Sequence, residues 1–255
     1  MRWPAPLAPL AAAVIFLTRV PLPFHGPMPD DLNRRAMGWF PLVGAGVGAL
    51  GGLAFWAAAA AGLPPLASAL LSLAAMALTT GCFHEDGLAD VADGFGGGRT
   101  REAKLEIMHD SRVGTFGSMA LVLGVGLRAA ALAAISDPAG VMAALTASGA
   151  LSRAPIPAIV RGVPPARADG LATRQGRPGP GTAALAVATG LAAAAVLLPG
   201  ATALAAVAAV AGASAVMVHM ARRQVGGYTG DVLGATQQVG EVALLLTVAA
   251  LTRPT

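Results

Sequence analysis

Cysteine is almost missing from this 255-residue chain, which has only Cys82. That excludes an intramolecular disulfide and any multi-cysteine metal site. At the end of an apolar run, Cys82 reads first as a small buried residue and only second as a nucleophile. Charge is scarce as well, at 12% of residues against 55% hydrophobic. A soluble domain of this length carries roughly twice that charge on its surface. Aromatics make up only 4% of the chain, and the basic residues are spread over several segments. The net charge of +4 and the pI near 10.5 therefore do not indicate a nucleic-acid partner. Sustained two-residue alternation is also lacking, which argues against a membrane barrel.

What the chain does have is long apolar runs. A mean hydropathy of +0.67 and several stretches near the roughly 20 residues that cross a bilayer describe a polytopic helical membrane protein. Residues 5–17 are apolar but short. Arg2 precedes them as in a signal peptide, yet Thr18-Arg19-Val20-Pro21 offers no small-residue cleavage site. A short or re-entrant helix is expected there, broken by Pro21-Leu22-Pro23. Spans are expected at 36–61, 66–83, 116–136, 140–160, 182–198 and 201–221, with a last apolar run at 239–252. The first span holds Gly44, Gly46, Gly48, Gly51 and Gly52, which permit close helix approach in lipid.

Charge sorts the connections. The turns 62–65, 137–139 and 199–200 carry little or none. The segments 18–35 (His25, Asp30, Asp31, Arg34, Arg35), 84–115, 161–181 (Arg161, Arg167, Asp169, Arg174, Arg177) and 222–238 carry most of it. The two sets alternate along the chain, so the positive-inside rule places the charged set in the cytoplasm. The expected fold is all-α: one integral-membrane domain over residues 1–255 in the cytoplasmic membrane. It forms a polytopic bundle of about six to eight spans with a cytoplasmic acidic catalytic segment.

That segment reads His84-Glu85-Asp86-Gly87-Leu88-Ala89-Asp90-Val91-Ala92-Asp93-Gly94, ahead of Gly96-Gly97-Gly98. In a helix, Asp86, Asp90 and Asp93 share one face, and Glu85 points about 100° away from Asp86. Three carboxylates on one stripe repel unless a positive group lies between them. Mg²⁺ bridging to a phosphate is the natural candidate, while a solvated loop or a set of caps for the next helix is the plainer alternative.

Further along, Asp110 is placed to complete a metal shell, Arg112 to fork onto a phosphate oxygen, and Gly114 and Gly117 to let backbone approach an anion. Asp110 with Arg112 also reads as an ordinary surface pair. The turn around Gly230-Asp231 suits either a phosphate or cation site or a helix cap. Gln237, Gln238, Glu241, Arg128 and Arg153 fall within or near apolar runs, where polar groups need an internal or aqueous environment.

These stretches resemble one known family. The acidic segment together with Met108-His109-Asp110-Ser111-Arg112-Val113-Gly114-Thr115-Phe116-Gly117 looks like cobalamin synthase, the adenosylcobinamide-GDP ribazoletransferase family. Phe16-Leu17-Thr18-Arg19-Val20-Pro21-Leu22-Pro23, Ser152-Arg153 and Thr229-Gly230-Asp231-Val232-Leu233-Gly234-Ala235 are also similar to it, in the same order along the chain. His109 and Val91 depart from the family pattern, where Lys and Thr are expected.

The resemblance implies a Mg²⁺-dependent membrane enzyme. It would join adenosylcobinamide-GDP to α-ribazole or its 5′-phosphate and release GMP. The partners would be those substrates and membrane lipid, with no nucleic acid and room for a homo-oligomer. The catalytic set implied is His84, Glu85, Asp86, Asp90, Asp93, Asp110 and Arg112. The metal would fall to Glu85, Asp86, Asp90 and Asp93, and substrate to Arg19, Ser111, Gly114, Arg153 and Asp231. A CDP-alcohol phosphotransferase-like enzyme is the nearest alternative, although Asp90 stands where its motif requires Arg. A cation transporter is the alternative from another class.

Overall fold

The computed structural model describes residues 7–23, 31–167 and 176–252, so Arg2, His25, Asp30, Asp169 and Arg174 lie outside the described residues. The described chain is all-helical apart from one isolated bridge between Pro165 and Tyr228. A short α1 (Ala8–Leu17) is followed by α2 (Leu32–Ala36), which runs through one 3₁₀ turn into α3 (Phe40–Ala60). Next come α4 (Pro65–Thr80), α5 (Phe83–Gly97), α6 (Arg101–Ile107) and α7 (Thr115–Ile135). The chain continues through α8 (Pro138–Leu151), α9 (Ile156–Gly162), α10 (Pro180–Leu197), α11 (Gly200–Val225) and α12 (Gly230–Leu251).

Five helices are long and apolar enough to cross a membrane: Leu32–Ala60, α7, α10, α11 and α12. By length and hydropathy the protein is multi-pass, with five candidate spans among the described residues, or six if the bent pair α4–α5 crosses as one. The count sits at or below the lower end of the expected range. α12 is the axis, with 67% of its apolar window buried, whereas α10 is peripheral at 17%.

The stretch 84–97 is a helix, as the shared-face reading of its carboxylates requires, and not the solvated loop that was the alternative. Three other expectations change, each for a local reason. α4 ends at Gly81 and Cys82, both in left-handed conformation with φ of 68° and 59°, and α5 leaves at 93° to α4. At this elbow Cys82 faces outward and is exposed, not buried. The span expected at 140–160 is two pieces, because α8 stops at Leu151 ahead of Pro155 and Pro157. A proline at 155 removes an amide and clashes with the carbonyl of residue 151 if the helix continues. Finally, α12 begins at Gly230, well before 239, so the polar residues 231–238 lie on a buried helix.

The scaffold is tightest where α3 crosses α8. A Cβ on Gly44 would stand 2.0 Å from the Gly149 carbonyl oxygen, and one on Gly48 would stand 2.0 Å from that of Leu145. Gly51 and Gly52 abut Met76 and Met142, but Gly46 faces open space. Around this crossing lies an apolar core of Phe55, Leu132, Val141, Leu145 and Leu244. Leu78, Val122, Val196 and Leu204 are among the large apolar side chains left on the outside, as lipid-facing positions should be.

The charged segments meet one another. Arg101 donates from Nε to the Val225 carbonyl (2.9 Å) and from Nη2 to that of Ala166 (2.6 Å). Lys104 bonds Gln224, and Arg167 bonds the Leu105 carbonyl. Ala166 and Tyr228 join segments 161–167 and 226–229 through a 2.8 Å backbone bond. The Arg19 amide donates to the Thr79 carbonyl at 2.8 Å, bringing the first charged segment to the α4–α5 elbow. The alternation of charged and uncharged connections thus becomes a bundle with one polar end.

Candidate active site

α5 packs against α7 and α12 at that polar end. Its first turn carries Glu85 and Asp86, which favourably oppose the partial positive charge of a helix start. Where α5 crosses α12, a Cβ on Gly87 would lie 2.8 Å from the Asp231 carbonyl oxygen, and one on Gly234 would lie 3.5 Å from the Gly87 Cα. The small residues bring Asp231 beside the acidic helix.

Asp86 is exposed, while Asp90 and Asp231 are half-buried. The charges of Asp86, Asp231 and Asp93 all act on Asp90, and that of Asp86 also acts on Asp231. Asp231 is not the cap of α12. Thr229 caps that helix through the Val232 amide (3.2 Å) and donates its hydroxyl to Asp231 Oδ2 (3.2 Å).

Asp93 sits on the same helix but turns both of its oxygens to α7. Its Oδ2 accepts from the Gly114 amide (2.7 Å) and its Oδ1 from the Gly117 amide (2.9 Å), so it caps α7 from another helix. A Cβ on Gly114 or Gly117 would fall 2.5 or 2.3 Å from those oxygens. The anion that these glycines admit is the protein's own carboxylate.

Beneath the acidic face is a second arrangement that the sequence did not assign. Arg128 of α7 donates from Nη1 to Glu241 Oε1 at 3.0 Å and lies 3.4 Å from Glu85 Oε1. Gln238 donates to Glu85 Oε1 (3.2 Å) and to Gln237 Oε1 (2.9 Å), and Gln237 donates to Glu241 Oε2 (2.7 Å). Glu85, Arg128, Glu241, Gln237 and Gln238 therefore form a closed hydrogen-bonded ring across α5, α7 and α12. Ser152 is attached to it by a 3.1 Å bond from Gln237.

Arg128 is 4% exposed, Glu241 1% and Gln238 2%. Arg153, 2% exposed, donates to the Gly149 carbonyl and lies within reach of the charges of Glu241 and Glu85. Two guanidiniums thus balance two carboxylates. His84, also buried, sits beside both arginine charges. Polar residues inside apolar helices were the available signal for this ring. Their pairing was hidden because the partners lie up to 153 residues apart.

The other sequence-expected residues spread outward. Asp110, Ser111 and Arg112 lie on the connection into α7, which is exposed at Ser111 and Arg112. Arg112 forks onto Asp110, with Nε 3.0 Å from both oxygens. These bonds hold the Asp110 carboxyl at about 2, below its usual value. Arg112 makes no ion pair with Asp86, Asp90 or Asp93 among the described residues. A cleft of about 480 Å³ lined by Ala103, Glu106, Ile107, His109 and Asp110 opens on this side, and the His109 charge reaches Asp231. Arg19 is exposed and lies across the α4–α5 elbow, its Nε 2.3 Å from where a Cβ on Gly81 would stand.

Among the described residues, no three His, Cys, Asp or Glu side chains are gathered closely enough to hold a metal alone. The donor chemistry still suits Mg²⁺, which usually binds one or two carboxylates plus substrate phosphates and keeps several waters. Asp86, Asp90 and Asp231 are the carboxylates available for that.

Comparison with known proteins agrees on one group. The family model for cobalamin-5-phosphate synthase matches residues 9–249. A Bradyrhizobium diazoefficiens protein named adenosylcobinamide-GDP ribazoletransferase is 46% identical over 244 residues, covering 96% of this chain and 94% of its own. Proteins of the same name from Rhizobium etli (45%, covering 94% and 95%) and Azorhizobium caulinodans (40%, covering 100% of each) are similar along their lengths. No solved structure matches.

Proposed function

The chain belongs to the cobalamin-5-phosphate synthase family, and from that premise we propose that it is an adenosylcobinamide-GDP ribazoletransferase. It transfers the adenosylcobinamide-phosphoryl group to α-ribazole or α-ribazole 5′-phosphate and releases GMP. The observation that carries this reading is the full-length likeness to proteins so named. It is supported by an acidic group built from α5 and the start of α12 at the polar end of the bundle.

In this reaction a ribazole hydroxyl oxygen forms a bond to the phosphorus that bears the cobinamide. The bond from that phosphorus to the GMP phosphate oxygen breaks, and the electron pair leaves with GMP. The hydroxyl proton must pass to a base. Most of the catalysis in such a transfer is positioning and charge stabilisation. Bound Mg²⁺ would supply neutralisation of the pyrophosphate charge, held by Asp86, Asp90 and Asp231. Asp93 would serve by fixing the start of α7 and the connection that carries Asp110 to Gly114. Arg112 would meet the leaving phosphate from that connection, with Asp110 holding its guanidinium in plane. Glu85 or His84 would receive the hydroxyl proton. The polar end would face the cytoplasm, where the excess of basic residues belongs.

The test is GMP release from adenosylcobinamide-GDP plus α-ribazole 5′-phosphate by detergent-solubilised protein, with Mg²⁺ and then with chelator. Mg²⁺-dependent GMP accompanied by a cobalamin product is expected. Folded protein that releases none sinks the reading.

A further inference from the structure

We propose that the cleft beside α6 is a guanosine pocket and that Glu106 selects guanine in it. The inference rests on the transferase reading and concerns the part of the substrate that the acidic group does not hold, the leaving nucleoside.

One face of α6 is committed to the bundle. Arg101 reaches the Val225 and Ala166 carbonyls, Lys104 reaches Gln224, and Met108 is buried against Gly94. Ala103, Glu106 and Ile107 stand at i, i+3 and i+4 on another face. With His109 and Asp110 from the turn that follows, they line the cleft of about 480 Å³. That turn is fixed by the His109 amide donating to the Glu106 carbonyl (3.0 Å) and the Asp110 amide to that of Ile107 (3.1 Å).

The cleft neighbours the proposed reaction centre. The charge of His109, in its wall, reaches Asp231 of the acidic group. Asp110, also in its wall, holds Arg112, the residue assigned to the leaving phosphate. A GMP phosphate on Arg112 would bring its nucleoside to this cleft. The volume falls within the range of small-molecule sites, whereas the corrin of the other half of the substrate is too large for it.

Glu106 is the carboxylate left open there. Asp110 is taken up by Arg112, but the exposed Glu106 side chain has no hydrogen bond or ion pair among the described residues. An ionised carboxylate only accepts, so it repels phosphate and suits a neutral group that offers donors. Guanine offers two side by side, its ring N–H and its amino group, which one carboxylate takes in parallel. Adenine sets an acceptor where guanine has the ring N–H, and the benzimidazole base of ribazole has no N–H at all. The base would lie against Ala103 and Ile107.

The experiment follows cobalamin formation by the full chain in detergent, with GMP, IMP or AMP added as competitors. IMP lacks the amino group, and AMP opposes the carboxylate with an acceptor. The parent is expected to bind GMP about 10-fold better than IMP and about 100-fold better than AMP. Glu106→Gln should raise KM for adenosylcobinamide-GDP about 10-fold with kcat nearly unchanged, the pattern of lost ground-state binding. It should also cut the GMP-over-AMP preference at least about 10-fold, because a glutamine amide presents the donor that adenine accepts. Glu102→Gln, on the same helix but outside the cleft and paired with Arg101, should change neither.

A parent that does not distinguish GMP from AMP overturns the proposal, and this outcome needs no variant. So does an unaltered GMP-over-AMP preference in Glu106→Gln. A parent that forms no cobalamin removes the transferase reading itself, and the guanosine pocket with it.

Discussion

Two helix crossings in this bundle are built by opposite means. At α3–α8, Gly44, Gly48 and Gly149 bring backbone onto backbone, with a would-be Cβ only 2.0–2.1 Å from a carbonyl oxygen. At the α5–α7–α12 meeting point, side chains do the joining: one arginine, two glutamates and two glutamines in a closed ring. The first contact depends on the absence of side chains and fails when volume is added. The second depends on particular polar atoms and fails when one of them loses its partner. One crossing is held by backbone contact, and the other by matched polar side chains.

The sharpest way to separate them is Asp90→Asn. It should cut GMP release about a thousandfold, as loss of a metal-binding carboxylate does, while the melting temperature in detergent stays near that of the parent. Activity retained along with metal dependence would sink the acidic-group assignment. The converse break is Gly149→Leu, which should destabilise the bundle by about 3 kcal/mol through overpacking. Gly46→Leu, at a position with nothing within 4 Å, should leave thermal unfolding unchanged. If both behave alike, the close crossing is not what holds α3 to α8.

Asp93→Ala falls between the two regions. Loss of a helix cap costs about 1–2 kcal/mol, so a lower melting temperature is expected. Activity per folded molecule should fall far less than for Asp90→Asn, and a fall as deep would return Asp93 to the metal group. The smallest effect belongs to the exposed Asp110–Arg112 pair. Its carboxyl is held down at about 2 by Arg112. The pair's contribution is therefore complete above the ordinary aspartate value near 4 and is lost only as pH falls toward 2. Unfolding curves of Asp110→Asn and the parent should superimpose from about pH 5 to 9, and a clear separation there would give the pair more weight.

Particular residues show how much could be read in advance. The 3.6-residue period placed Asp86 and Asp90 together and turned Glu85 away from them, and the structure keeps that geometry. The same period put Asp93 with them, and the structure bonds both of its oxygens to the open amides of α7. Gly114 and Gly117, at the start of α7, were read as admitting an anion, and the one they meet in the structure is the Asp93 carboxylate. Asp137-Pro138 reads as a turn and is one, with Asp137 capping the Gly140 amide at 2.7 Å. The ring was legible as polar residues in the wrong surroundings, but not as a ring, because its partners come from helices distant in sequence. The elbow at Gly81-Cys82 was not legible either. Two consecutive left-handed residues, one of them not glycine, leave little trace in composition.

The ring also has an order in time. A ribosome delivers Glu85 first, then Arg128, then Arg153 and last Glu241, so charges enter the growing bundle as minus, plus, plus, minus. Glu85 and Arg128 form a neutral pair before the second pair exists. Three of the ring's five members then arrive together on α12, the final helix among the described residues. A nascent chain is thus never asked to hold more than one unmatched buried charge from this set, and the ring closes only once α12 has been added.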